Sequence, residues 1–214
     1  MDFQAIRKEY EDEGIVADAL NDCPTKQLEL WLADATEKSP GRWMETNAMA
    51  LATAGKNGQV SVRQVLLKGI TPNGIRFFTN YESVKGQQLS ENPNCSVAFH
   101  WPHLGRQIRI AGKAEKTSRE VSEQYFHSRP RKSQLGAAAS CQSSVIDSHD
   151  QLQKRFEQLE SELDGQSVPL PENWGGYLIR PTEFEFWQGR TNRLHDRIVY
   201  RGGADNWQKF RLSP

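Results

Sequence analysis

The run from residue 46 to residue 117, in which short apolar segments alternate with turn signals, constrains this chain more than any other feature. "NAMALATA" and "VSVRQVLLK" are separated by "GKNGQ", whose Asn57-Gly58 pair is a strong hairpin signal. "TPNG" (71–74) is a second turn and leads into "IRFFTN". "CSVAFHW" and "RQIRIAGKAEKT" flank a third turn, "PHLG". The whole run reads as an antiparallel meander.

Helical patterns lie on both sides of it. In "CPTKQLELWLADATEK", Pro24 and Thr25 are start signals, and Leu28, Trp31, Leu32 and Ala35 share one face. "SREVSEQYFHS" and "RKSQLGAAAS" flank Pro130, and "SHDQLQKRFEQLESEL" opens with Ser148 and Gln151 in a capping-box arrangement. Strands return from "WGGYLIR" to the end. The expected class is α+β: an antiparallel barrel with N-terminal helices and a helical insertion at about 118–165. Residues 1–45 read as an N-terminal helical segment and residues 46–214 as a single structural domain.

Lys+Arg and Asp+Glu number 27 each, so no whole-molecule basic field exists for nucleic acid or a membrane surface. Any anion site must be local. No apolar run reaches the roughly 18 residues a membrane span needs, and "MDFQAIRKEYEDEG" has no apolar signal core. Cys23, Cys95 and Cys141 make neither a disulfide framework nor a zinc pattern, which fits a reducing cytoplasm. His100 and His103 lack a third ligand, so no metal is expected. The phosphate-loop, dinucleotide and serine-nucleophile motifs are absent.

Four basic constellations remain. Arg63 and Lys68 bracket an apolar strand at an odd separation, which puts them on opposite sides unless a bulge intervenes; they are equally readable as edge-strand surface charges. Ser83 caps a short helix that Asn92-Pro93 stops, and Lys85 lies in its first turn, which makes either a phosphate site or an ordinary capped helix. Tyr125, Arg129 and Ser133 share a face that suits a phosphate ester if the helix continues past Pro130; "RPRK" also reads as a solvated basic turn. In "FWQGRTNRLHDRIVYRGG" (186–203), Arg193, His195 and Arg197 alternate as one strand face, with Leu194, Asp196 and Ile198 on the other. That cationic face asks for a planar anionic ligand, unless Asp196 simply serves as local counter-ion. Arg190 receives no role beyond surface charge.

"RQVLLK", "SVKGQQ", "GRQIRIAGKAEK", "YFHSRPRKSQLGA", "QSS", "PLPENWGGY", "EFWQG" and "RLHDR" occur in this order, and the chain closes on "NWQKFRLSP". In this combination the chain resembles the pyridoxine/pyridoxamine 5'-phosphate oxidase family over nearly its whole length. The resemblance implies a homodimeric FMN split barrel with two flavins at the dimer interface. Pyridoxine 5'-phosphate or pyridoxamine 5'-phosphate would be oxidised to pyridoxal 5'-phosphate, with hydride passing from C4' to flavin N5 and O2 reduced to hydrogen peroxide. The amine substrate would also release ammonia.

Carried over residue by residue, the resemblance implies that Arg63, Gln64, Val65, Leu66, Leu67 and Lys68 run along the flavin, with Lys68 also reaching the substrate. Phe78, Thr79, Lys85, Gln107, Gln142, Ser143, Trp187 and Arg197 would complete the flavin shell. Tyr125, Arg129 and Ser133 would grip the substrate phosphate. Arg193 and His195, with Leu194 between them, would act at the pyridine ring, and Arg7, Lys8, Glu9 and Tyr10 would fold over it. Val84 stands where relatives often carry an arginine, and Phe78 replaces a frequent tyrosine. Two other readings remain open: a phenazine-pathway flavin oxidase of the same fold, and a non-catalytic protein that stores flavin or pyridoxal phosphate.

Overall fold

The structure, a computed structural model, describes residue 10 and residues 14–203 and 206–214. The first helix, α1 (Pro24–Glu37), has Pro24 at its first turn, where a missing N–H costs nothing. It buries Leu28, Trp31 and Ala35, as the periodicity predicts, and Trp31 meets Phe186 edge-on at 5.2 Å. Two hairpin strands follow, β1 (Ala48–Ala54) and β2 (Val60–Leu66), paired antiparallel from Ala48 opposite Leu66 to Ala54 opposite Val60. After them come β3 (Gly69–Thr71), β4 (Gly74–Asn80) and the eight-residue α2 (Val84–Glu91). The next pair is β5 (Asn94–Trp101) and β6 (Arg106–Lys116).

The helical insertion is three helices: α3 (Arg119–Ser128), α4 (Arg131–Ala139) and α5 (His149–Glu162). Ser148 caps α5, accepting from the Gln151 N–H, and Gln151 Oε1 accepts in return from the Asp147 N–H. Three strands close the chain: β7 (Trp174–Gln188), β8 (Asp196–Gly203) and β9 (Asn206–Leu212). The architecture is therefore α+β on one antiparallel sheet.

The strand order corrects the expected meander. It is β2-β1-β5-β6-β7-β4-β3, with β8 and β9 added on β7. The 15-residue β7 is the reason. Along one edge it pairs with β6 throughout; along the other it takes β4 over its first half and β8 over its second. Partners change near Pro181, where a bulge between Ala111 and Gly112 interrupts the β6 ladder and accommodates a residue with no N–H to donate. Gly112 is required there, because a Cβ would overlap the Arg180 carbonyl.

The alternating strand positions Met49, Leu51, Val97, Phe99, Ile108, Ile110, Phe184 and Phe186 form the main core with α1. A second cluster of Phe126, Leu135, Val168, Leu170 and Trp174 lies under the inserted helices. Among the described residues, no helix is long and apolar enough to cross a membrane, and Cys23, Cys95 and Cys141 are free thiols.

Candidate active site

At the start of α2, Ser83 accepts the Gly86 N–H and donates to the Asn80 carbonyl at 2.7 Å. Lys85 turns inward and is 8% exposed. Its Nζ donates to Gln142 Oε1 at 2.9 Å and to Thr79 Oγ1 and Ser83 Oγ at 3.1 Å each. All three partners are neutral. Burial, with the Arg63 charge nearby, lowers the Lys85 pKa to about 8. Arg63 is itself anchored on the Leu51 carbonyl at 3.0 Å and Thr53 Oγ1 at 2.6 Å. A buried ammonium held only by neutral oxygens favours an anionic ligand.

Lys85 opens onto a cavity of about 510 Å³. Of the expected binding residues, Gln64, Val65, Leu66, Lys68, Phe78, Thr79, Tyr125, Arg129, Ser133 and Gln142 line the same cavity. Lys68, Lys85 and Arg129 bring three positive charges, and among the described residues no carboxylate lines the cavity.

Tyr125, Arg129 and Ser133 do come together, but not on one continuous helix. Arg129 and Pro130 are extended between α3 and α4, and this break turns all three side chains toward the cavity. The Arg129 guanidinium lies over the Trp174 ring at 4.9 Å, and its Nη1 is buried without a hydrogen-bond partner. Burial lowers the Arg129 pKa and raises that of Tyr125. Tyr125 stacks on Phe78 at 3.9 Å and parallel to Trp174. The cavity thus has an aromatic wall and cations at two places. Trp174 is a lining residue that the sequence reading did not single out; "NWGGY" marked the place without revealing the stacking.

Some expected residues stand apart from the cavity. Leu67 is buried in the main core, so its side chain does not reach the cavity. Ser143 adopts φ 73° beside α2, and its Oγ accepts the Val84 N–H at 3.4 Å. Gln107, Trp187 and Arg197 form a separate row on adjacent strands, Gln107 opposite Trp187 and Trp187 opposite Arg197. Gly175 pairs with Thr79 at one end of β7 and Trp187 lies near the other, on the order of 40 Å along an unbent strand.

Arg197 is gripped by the buried Glu185, Nε to Oε1 at 2.8 Å, and Arg109 reaches the same carboxylate at 2.5 Å. Burial raises the Glu185 pKa, but the two guanidiniums outweigh it and hold the carboxyl below its usual range. Arg197 Nη1 also donates to the Ser213 carbonyl at 3.0 Å.

The expected strand face of Arg193, His195 and Arg197 is not formed. Asn192 and Arg193 have φ of 55° and 60°, in a 3-10 turn over Thr191–Arg193, and β8 begins only at Asp196. Left-handed residues cannot continue a strand. Arg193 and Leu194 are exposed. His195 packs on Trp187 at 4.7 Å, and the Tyr10 ring meets both edge-on at 5.6 and 5.7 Å. His195 Nδ1 accepts the Arg190 N–H at 3.1 Å, an arrangement that corresponds to the tautomer carrying its proton on Nε2. Arg190, expected to be idle, also pairs with Asp196 at 3.3 Å. Arg7, Lys8 and Glu9 lie outside the described residues.

The family model described as pyridoxamine 5'-phosphate oxidase matches residues 36–162, and that of the pyridoxine 5'-phosphate oxidase C-terminal dimerisation region matches residues 174–214. A pyridoxine/pyridoxamine 5'-phosphate oxidase of Rhodopirellula baltica is 47% identical over 98% of this chain and 95% of its own length. That of Crocosphaera subtropica is 49% identical over the full length of both. Among solved structures, PhzG of Burkholderia lata, in complex with tetrahydrophenazine-1-carboxylic acid, has a TM-score of 0.87 at 29% identity and covers 94% of this chain and 98% of its own. An FMN-binding protein of Nostoc punctiforme related to pyridoxamine 5'-phosphate oxidase shares the fold, with a TM-score of 0.70 at 15% identity over 92% of this chain and 99% of its own.

Proposed function

The chain belongs to the pyridoxine/pyridoxamine 5'-phosphate oxidase family, and we propose that its cavity holds the phosphates of both FMN and substrate, one at Lys85 and one at Arg129. It is an FMN-dependent oxidoreductase that acts on pyridoxine 5'-phosphate and pyridoxamine 5'-phosphate. The carrying observation is the cavity that, among the described residues, gathers three cations and no carboxylate in a protein of zero net charge. The buried Lys85, held only by neutral oxygens, and the unpartnered Nη1 of Arg129 fit two separate phosphate groups, and the Phe78–Tyr125–Trp174 wall fits planar rings.

FMN, when bound, would supply the two-electron acceptor for oxidation of the substrate at C4', with O2 as the final oxidant and hydrogen peroxide as its product. The chain's own residues bind and orient. Lys85, with Ser83, Thr79 and Gln142, would hold the cofactor phosphate, and Arg63 adds to the local positive field. Gln64, Val65 and Leu66 would flank the flavin, and Lys68 would bridge to the substrate. Tyr125, Arg129 and Ser133 would take the substrate phosphate with charge-assisted hydrogen bonds. Arg193 and His195, beside Trp187, would polarise and position the pyridine ring in the site that the row of Gln107, Trp187 and Arg197 serves, His195 donating from Nε2. Tyr10 and the preceding Arg7, Lys8 and Glu9 would cover it and exclude water.

Gln107, Trp187 and Arg197 are not among the described residues that line their own chain's cavity. We read this row as serving the cavity of a second copy, in a homodimer that carries FMN at its interface. The match of residues 174–214 to a dimerisation region supports this reading. Relatives near half identity carry the oxidase name, whereas the phenazine-pathway protein stands at 29%; the oxidase reading is therefore preferred. The test is oxygen uptake by the FMN-reconstituted protein. Pyridoxine 5'-phosphate should start oxygen consumption and peroxide formation. A yellow protein that consumes none would be a binder and not an oxidase.

A further inference from the structure

We propose that Asp196 is a positioning residue, a buried carboxylate latch that fastens the N-terminal arm to the loop carrying Arg193 and His195; the inference rests on the oxidase reading of that loop. Asp196 is 4% exposed and follows His195 directly. Its Oδ2 accepts the Ile15 N–H at 2.8 Å and Arg190 Nη1 at 3.3 Å. Its Oδ1 accepts Arg211 Nη1, and Arg211 Nη2 donates to the Ile15 carbonyl at 3.1 Å. One carboxylate thus joins the arm, the loop and β9, three segments far apart in sequence. Arg190 extends the connection, because its own N–H holds His195 Nδ1.

The seat for the arm is shaped as well as charged. Gly14 has φ +86°, and a Cβ there would overlap Asp196 Oδ2 and lie 2.8 Å from Arg190 Cδ. Gly105 and Gly189 leave room for the Tyr10 ring, which any Cβ at either position would strike. The arm is therefore registered at two points, by Tyr10 against His195 and Trp187 and by Gly14-Ile15 on Asp196. A latch at Gly14-Ile15 holds the chain beside the Tyr10 ring, which itself packs on His195 and Trp187. Charge-assisted hydrogen bonds to a buried carboxylate are among the stronger non-covalent ties available to a short segment.

Two variants test this in the FMN-loaded full chain. Asp196→Asn keeps the shape and an acceptor for Ile15 but removes the charge that holds both arginines. Gly14→Ala keeps the carboxylate and its charge but sets a methyl against Asp196 Oδ2 and the Arg190 side chain, so the arm cannot seat. In both, FMN content should match the wild type, KM for pyridoxine 5'-phosphate should rise about tenfold or more, and protease cleavage before residue 15 should quicken. A purely structural Asp196 would give a different pattern. Asp196→Asn would lose FMN in step with activity, the retained fraction would keep the wild-type KM, and Gly14→Ala would match the wild type in KM and cleavage. That pattern, or wild-type KM and cleavage in both variants, overturns the latch. Should the wild type itself consume no oxygen, the oxidase reading fails instead, and the cleavage comparison alone decides the latch.

Discussion

Lys85 carries a charge that its surroundings disfavour. Burial and the Arg63 charge bring its pKa to about 8 in the free protein, so it loses its proton as the pH rises through that value. A phosphate dianion needs the charged form. FMN affinity should therefore hold up to about pH 8 and then fall, by up to about tenfold per pH unit, until the pKa of the bound state is reached. Flavin fluorescence titrations across that range measure it, and a dissociation constant that does not move would remove Lys85 from the phosphate site. Val84 offers a gain in the other direction. It is exposed in the first turn of α2, between the capping Ser83 and Lys85. Val84→Arg should tighten FMN binding by about two- to fivefold, the scale of an exposed ion pair; the same titration checks it. The place of Lys85 in the first turn of a capped helix was legible from Ser83. The ties of Arg190 and Asp196 were not, because they depend on Ile15 and Arg211, partners that lie far away in sequence.

Elements were legible where local chemistry sets their ends. Ser83, Ser118 and Ser148 each cap a helix by accepting a backbone N–H, and Asn57-Gly58 turns the first hairpin. What sequence patterns could not reveal was decided between elements. The alternation of Arg193, His195 and Arg197 looks like a strand, but two left-handed residues bend it into a loop. The meander gives way to a crossover because β7 is long enough to take two successive partners on one edge. The approach of β7 to β4 is similarly invisible in sequence. A Cβ on Gly176 would lie 2.6 Å from Thr117 Oγ1 and 2.8 Å from Phe78 Cε1, beneath the ring that stacks on Tyr125. Gly176→Ala should cost about 1–3 kcal/mol through overpacking and weaken FMN binding by tilting the Phe78 ring. Urea unfolding with a parallel FMN titration reads both, and an unchanged midpoint would mean that the strand gives way freely.

At the scale of the whole molecule, the separation between the cavity and the row of Gln107, Trp187 and Arg197 has a countable consequence. If each active site takes Lys85 from one chain and Arg197 from the other, Lys85→Ala and Arg197→Ala each disable both sites of their own homodimer. In a mixed dimer the two substitutions fall together on one site, and the other site is built wholly from wild-type residues. Random assortment from equal expression makes half of the dimers mixed, so about a quarter of all sites should be intact. Co-expressed variants should therefore regain about a quarter of wild-type oxygen uptake, while the separately purified variants, simply combined without subunit exchange, regain none. If both residues served the same chain's site, every dimer would remain disabled and co-expression would restore nothing. The buried Glu185 adds a control within the same logic. It grips Arg197 within one chain, so Glu185→Gln should complement Lys85→Ala but fail to complement Arg197→Ala. Only a site assembled from two chains, with Glu185 and Arg197 on the same one, gives that pattern.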